Sequence, residues 1–482
     1  MTEFEPVIGM EVHAQLKTKT KLFCGCSTQF GAAPNTNICP VCTGQPGALP
    51  VLNQVAVEFA IRMGLALNCT INVQSIFARK NYFYPDLPKG YQISQFDKPL
   101  CENGRIDIAL ASGTKRIGVT RIHLEEDAGK LLHQGAASIK GATHSLVDLN
   151  RACTPLIEIV SQPDIRSAEE ARLYVEKIRS ILVFLGICDG NMEEGSLRCD
   201  ANISIRPLGS SQFGTRTEVK NMNSFRAVEQ AAISEIARQK EVLLSGGAIV
   251  LETRNYDDES GQTTSMRSKE EAHDYRYFPE PDLLPLGVDA PWLAQIKSSQ
   301  PKLPDQIRHE LQVAQLPESD IVQLLNDPQR LHYFEAVCAG RTLPVKKVAN
   351  WVLGDLSALA NEGKFSFTQP SVSPAHMADL VALVEAGTFS GKLAKEILPD
   401  LLQGKSPHEV IALKGVKQIG NDADLIPFIE QAIQSNPGPL EQYKNGKTSV
   451  AGFFVGQVMK ATQGQAKPDV VNRLVREVLD RS

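Results

Sequence analysis

Four cysteines, Cys24, Cys26, Cys39 and Cys42, form two close pairs around a loop of twelve residues. That spacing suits a tetrahedral S₄ site for zinc, the alternative being four unrelated thiols. With every position filled by a thiolate, such a metal is structural and leaves no place for a reacting water. Two further groups have types and spacing that can do chemistry. Glu11 and His13 stand at i, i+2, a spacing that lets a carboxylate and an imidazole share a hard cation, form an acid–base pair, or sit side by side in solvent. Glu125, Glu126 and Asp127 put three carboxylates in a row. Their mutual repulsion requires a cation, a metal or a proton if any of them turns inward. The alternative is a solvated acidic turn at Asp127–Gly129.

The elements that must position these residues are strands. Val7–Leu16 alternates with a period of two, placing Ile8, Met10, Val12, Ala14 and Leu16 on one face and Glu11, His13 and Gln15 on the other. Ile117–Leu124 alternates in the same way and runs into the acidic triplet. Ile122, Leu124 and Glu126 share one face, and Arg121, His123 and Glu125 the other. Ile117 and Val119 are out of phase with Ile122, so burial of the Glu126 face rests on Ile122 and Leu124. That face makes Glu126 the carboxylate expected inside, where it needs a cation, a metal or a proton beside it. Further along, Arg198, Asp200, Asn202, Ser204 and Arg206 alternate with apolar residues, and a second strand carries Arg216, Glu218 and Lys220. Side by side these strands gather Asp200, Asn202, Glu218 and Lys220 on one surface, either as a site or as cross-strand ion pairs on a wet face.

Composition excludes several classes. The chain of 482 residues is 42% hydrophobic and 22% charged, with a net charge of −5, so contact with nucleic acid must come from a local patch. The N-terminus lacks the basic and apolar regions of a leader, and no apolar run approaches the roughly 18 residues of a membrane helix. A cytoplasmic protein is expected. The other cysteines then read as small buried thiols and not as a disulfide frame.

The segment Arg79–Ser94 holds three tyrosines, two prolines and three cations in sixteen residues. Lys80, Tyr82 and Tyr84 make it fit to contact phosphate and stack on a base, or simply to pack. A helix is expected from the Ser167-x-x-Glu170 box, with Ala171, Tyr174, Val175, Ile178, Leu182 and Leu185 as its apolar stripe and Gly186 at its end. Another opens at Asn221–Ser224, and its N-terminus could hold an anion. Tyr275–Pro285, with Pro291 beyond it, is rich in proline and marks a boundary. Past it helical spacing dominates, in Ile307–Gln315, Val345–Leu359, Pro374–Ala386 and Leu393–Leu401. A last helical piece follows residues 403–407 and carries Gly–Lys punctuation that suits a phosphate backbone or an ordinary helix–loop–helix.

Several of these runs together are similar to one family. Ile8–His13, Arg79–Gln95, His123–Lys130, Asp148–Asp164, Glu194–Asp200, Tyr275–Pro285 and the tail around Val455–Lys460 closely resemble the B subunit of the aspartyl/glutamyl-tRNA(Asn/Gln) amidotransferases. Cys153 departs from the small Gly or Ser usual at that point of the pattern. The resemblance implies an α+β fold, with a mostly antiparallel cradle domain over residues 1–292. Two all-helical domains, 293–405 and a tRNA-binding tail 406–482, would follow.

The implied activity is that of an ATP-dependent carbon–nitrogen ligase. The side-chain carboxylate of Asp-tRNA(Asn) or Glu-tRNA(Gln) is phosphorylated with ATP and Mg²⁺, and ammonia displaces the phosphate. An amidase partner supplies the ammonia from glutamine, and the pair is braced by a small third chain in a heterotrimer. No Gly-rich serine run of the amidase kind is found in this chain. Under this reading Glu11, His13 and Glu126 hold Mg²⁺, Lys80 and Lys220 contact phosphate, and Asp200 and Glu218 are weaker metal candidates. Tyr82, Tyr84 and Asn202 line the nucleotide, and Lys444, Lys447, Lys460 and Lys467 meet tRNA phosphates. The alternatives are a non-catalytic tRNA-binding scaffold and a metal-dependent hydrolase acting alone.

Overall fold

The structure is a computed structural model that describes residues 3–135, 141–268, 272–388, 391–414, 421–462, 466 and 468–481. The chain divides into two compact units, Met1–Pro304 and Asp305–Ser482.

The first unit is built on a nine-stranded sheet. Its central strands are β1 (Phe4–Gln15), β2 (Gly113–Glu126), β3 (Pro155–Ser161), β4 (Leu197–Pro207) and β5 (Thr217–Lys220). Their spatial order is β5–β4–β1–β3–β2, with every one of these pairs antiparallel. Alternation sends Met10, Val12, Ile122, Leu124, Ile157, Ile159, Ala201 and Ile203 to one face, all buried in a single core. That face is covered by helices α1 (Gln54–Ala66), α2 (Ala168–Phe184) and α3 (Phe225–Leu244). Antiparallel sheets covered on one side leave the other free for polar work.

The local signals act as expected. Ser167 caps α2 by accepting from the Glu170 amide at 3.1 Å, and Gly186 takes a φ of +68° just past its end. Ser224 caps α3 by accepting from the Ala227 amide at 3.0 Å. The broken phase between Val119 and Ile122 has a physical cause. Val160 pairs with Arg121 while Ser161 pairs with Val119, so Thr120 is an inserted residue and β2 carries a bulge there.

The proline-rich stretch belongs to the first unit. Phe278–Pro279 pairs with Ala78–Arg79 of a hairpin whose strands are Ala78–Asn81 and Tyr91–Ser94. Helix Ala290–Ser298 then returns to α1, burying Ile296 and donating from Trp292 Nε1 to Glu58 at 3.2 Å. The compact unit that contains this helix runs to Pro304.

Among the described residues, the regular elements of the second unit are helices, from Pro304–Val313 to Pro468–Arg481. Val345–Asn361 is one continuous helical run whose middle, Trp351–Leu356, widens into a π turn. Helices Asp422–Gln434, Ala451–Ala461 and Pro468–Arg481 share a core of Leu425, Ile429, Phe454, Val458, Val471 and Val475. Among the described residues, no helix is long and apolar enough to cross a membrane.

Candidate functional site

The open face of the sheet carries a row of ionisable side chains. Cross-strand pairing sets Arg198 beside His13, His13 beside Glu158, and Glu158 beside His123. One step along the strands Glu125 joins the same face. His13 Nε2 lies 3.4 Å from Glu158 and 3.9 Å from Glu125, while His123 Nε2 lies 3.4 and 3.7 Å from the same two carboxylates. Burial alone would lower the His13 pKa, but Glu158, Glu125 and Asp200 raise it to about 9. Burial pushes the Glu158 carboxyl upward, and the two imidazoles outweigh it, holding the group well below the usual range. Glu125 is also held low against the upward push of burial, with His123 making the largest favourable contribution. One ligand atom each from His13, Glu125 and Glu158 can be brought within 4.8 Å of the others, a set that fits a small hard cation.

A second acidic group, Glu11, Asp200 and Glu218, lies beside the first, with one ligand atom of each within 4.8 Å of the others. Pairing of Glu11 with Asp200 and of Asn202 with Glu218 assembles it, and Asn202 donates to Glu11 at 2.8 Å. Lys220 already partly neutralises it, 2.5 Å from Asp200 and 3.6 Å from Glu218. The expected surface of Asp200, Asn202, Glu218 and Lys220 is thus present as a contiguous patch.

Lys80 arrives from the hairpin. Its amine lies 4.8 Å from the Tyr275 ring centre and 5.8 Å from that of Tyr82. Burial would lower its pKa, but Tyr277, Glu125 and Glu158 raise it. Tyr277 stacks on Phe96 at 4.2 Å, closing an aromatic wall over this amine. Tyr82 belongs to that wall, whereas Tyr84 packs edge-on against Tyr82 at 6.0 Å and remains half exposed. A polar cavity of about 430 Å³ is lined by Glu11, His13, Lys80, Glu158, Arg216 and Lys220, among others. A neighbouring apolar cavity of about 560 Å³ shares Glu11 and Arg216 with it and is walled by Val7, Met10, Phe213 and Leu251.

Glu126 is not part of this face. It points into the core as its alternation requires, at 1% exposure, but the cation that compensates it is Lys89. The Ile93 amide donates to the same carboxylate at 2.8 Å. The expected grouping of Glu126 with Glu11 and His13 is therefore corrected: Glu125, on the opposite face, takes that place with Glu158. Asp127 is also occupied. It accepts from Gln15 at 2.7 Å and from Arg198 at 2.8 Å, and Arg198 and Arg151 hold its carboxyl below the usual range against the effect of burial.

The four cysteines of the knuckle converge, with sulfurs that can all lie within 4.8 Å of one another. The four-thiol donor set and its closure fit a tetrahedral thiophilic ion. The Cys42 thiol is pushed up to about 12 by its hydrogen bond with Cys24 and by burial, with Lys21 pulling the other way. All cysteines of the chain are free thiols.

Two family models match the chain. One, described as the GatB/GatE catalytic domain, covers residues 6–294, and another, described as the GatB domain, covers 332–479. The B subunit of the aspartyl/glutamyl-tRNA(Asn/Gln) amidotransferase of Geobacter sulfurreducens is 52% identical over 479 residues, 99% of each chain. That of Persephonella marina is 50% identical over 479 residues, covering 99% of this chain and all of the relative. The chain belongs to the family of these B subunits.

The first family model spans both acidic groups, Lys80, the knuckle and the aromatic wall. The second spans the tail, where Lys444, Lys447 and Lys460 are exposed. Lys460 follows Gly452 and Gly456 at intervals of four on helix Ala451–Ala461, and a Cβ at either glycine would meet nothing within 4 Å. Lys467 lies outside the described residues. Sequence reading places His123 and Arg198 on polar strand faces but not in the site, and does not single out Glu158. A signal for Glu158 was available, since it is the one charge inside the apolar run Leu156–Val160.

Proposed function

We propose that this chain is the ligase subunit of a tRNA-dependent amidotransferase, acting in the cytoplasm on misacylated Asp-tRNA(Asn), Glu-tRNA(Gln) or both. The observation that carries this reading is the pair of acidic groups on one open face, each flanked by a lysine, Lys80 or Lys220. Phosphoryl transfer needs this combination of hard-cation ligands and fixed positive charge.

In this reading His13, Glu125 and Glu158 hold Mg²⁺, with Glu11, Asp200 and Glu218 as a second set. The metal, when bound, withdraws charge from the transferring phosphoryl group. Lys80 and Lys220 draw the phosphates of ATP onto the face. The apolar cavity beside Glu11 and Arg216 suits a purine base, while Tyr82 and Tyr84 offer aromatic surface at the other side. A side-chain carboxylate oxygen of the aminoacyl group attacks the γ-phosphorus and ADP departs. Ammonia then attacks the acyl carbon, phosphate leaves with that oxygen, and the amide forms. An amidase partner supplies the ammonia from glutamine, and a small bracing subunit completes a heterotrimer. The tail lysines hold the tRNA backbone.

The test is ATP turnover by the assembled complex without glutamine or ammonia. ADP should form in a burst that requires misacylated tRNA and is absent with the correctly charged Asn- or Gln-tRNA. No ADP under any of these conditions would leave the chain a tRNA-binding scaffold.

We also propose that the knuckle holds one structural zinc ion. Metal analysis should find about one zinc per chain, as four thiolates make one closed site. Cys39→Ser should lower that content and loosen the N-terminal region to proteolysis while ATP still binds. A stable, zinc-free wild type would show that the thiols merely pack.

A further inference from the structure

Lys21 is buried completely, at 0% exposure, which is rare for lysine unless a partner compensates it. Among the described residues no carboxylate lies within ion-pair distance of its amine. Instead Nζ lies 3.6 Å from Cys42 Sγ and 3.3 Å from the carbonyl oxygen of Leu149. The Lys21 backbone amide also donates to the Cys26 carbonyl at 3.0 Å. One residue thus touches two members of the four-cysteine cluster and the segment across from it.

We propose that Lys21 is a positioning residue for a metal at Cys24, Cys26, Cys39 and Cys42, through its buried contacts with Cys42 Sγ and Leu149. The charge arithmetic explains why a cation belongs there. Four thiolates around a dication leave a net charge of −2, and burying it uncompensated is costly. A donor to the Cys42 sulfur neutralises part of that charge and fixes the sulfur's direction, as outer partners of metal ligands do.

The Leu149 contact gives the arrangement reach. The knuckle loop is clamped to the same segment, since the Asn35 amide donates to Asp148 at 3.1 Å and the Asn37 amide to Asn150 at 2.8 Å. Arg151, next in the chain, donates to Ala128 O at 2.9 Å and lies 3.6 Å from Asp127. Asp127 in turn lines a second, smaller polar cavity that shares His13, Lys80, Asp200 and Lys220 with the first. Lys21 therefore joins the cluster to the wall of the polar site through residues 148–151.

The experiment is metal retention by the purified complex, loaded with zinc or cobalt(II), challenged with a chelator. Lys21→Met should bind zinc about 10–100-fold more weakly than wild type. Its cobalt(II) form should show a shifted sulfur-to-metal charge-transfer band, because the hydrogen bond to Cys42 is gone. Lys21→Arg, which keeps the charge, should retain the metal better than Lys21→Met. Should Lys21→Met not fold, Lys21→Gln, a neutral donor, is expected to release zinc measurably faster than wild type. Equal release rates for wild type and the Met or Gln variant, with an unmoved cobalt band, would overturn the proposal. So would a wild-type complex that binds neither metal, a result that leaves the ligase reading intact because none of its groups is in the knuckle.

Discussion

Glu125→Gln should slow ADP formation on misacylated tRNA by at least about a hundredfold, the scale of losing one charge-stabilising group in a buried site. The substitution keeps the shape of the side chain but removes a carboxylate shared by His13 and His123. Glu158 still pairs with both imidazoles, so the fold should persist, and glutamine hydrolysis by the partner should be untouched. Glu126→Gln should do the opposite. It leaves the Lys89 charge without its carboxylate in the core, at a cost of about 3–5 kcal/mol of stability. The fraction that stays folded should phosphorylate at close to the wild-type rate. Single-turnover kinetics and thermal melts on the two variants separate these effects. Equal losses of rate at unchanged melting temperature would place Glu126 back in the site.

Replacing Lys444, Lys447 and Lys460 together with glutamine should weaken tRNA binding about ten- to a hundredfold at moderate salt. All three are exposed, Lys444 and Lys460 on helices and Lys447 in the segment between them, so this region should remain folded. Removing one phosphate neutralisation flattens the dependence of log affinity on log salt by roughly 0.7–0.9, so the slope should fall by about 2–3. In the proposed reading ATP binds the other unit, so its binding should not change. An unaltered slope would make the tail a helical cap with no part in binding.

Much of the fold was legible because burial follows the period of a strand. The alternation in Val7–Leu16 assigned both faces of β1, and the Ser167 box and Gly186 bounded α2 at the right residues. The facing of Glu126 was legible too, since Ile122 and Leu124 share its side. What could not be read was the identity of its partner. Lys89 lies 37 positions earlier, and only the folding of the hairpin onto β2 brings it there. The meeting of His13 with Glu158 depends likewise on β1 lying between β3 and β4, a non-local choice that no local pattern encodes. Pro279, Pro281 and Pro285 read as a boundary because proline is unsuited to helix interiors and central strands, yet Pro279 sits in an edge pairing with Ala78. Tyr275 and Tyr277 thereby came to the site from a stretch read as its boundary.

The central claim is that an oxygen of the aminoacyl side chain attacks ATP on this face. Misacylated tRNA made with ¹⁸O in the side-chain carboxylate tests it directly, using the assembled complex, ATP and ammonia. The inorganic phosphate released should carry one ¹⁸O from that carboxylate for each amide formed, and the Glu125→Gln complex should release almost none. Amide formation accompanied by unlabelled phosphate would contradict the account.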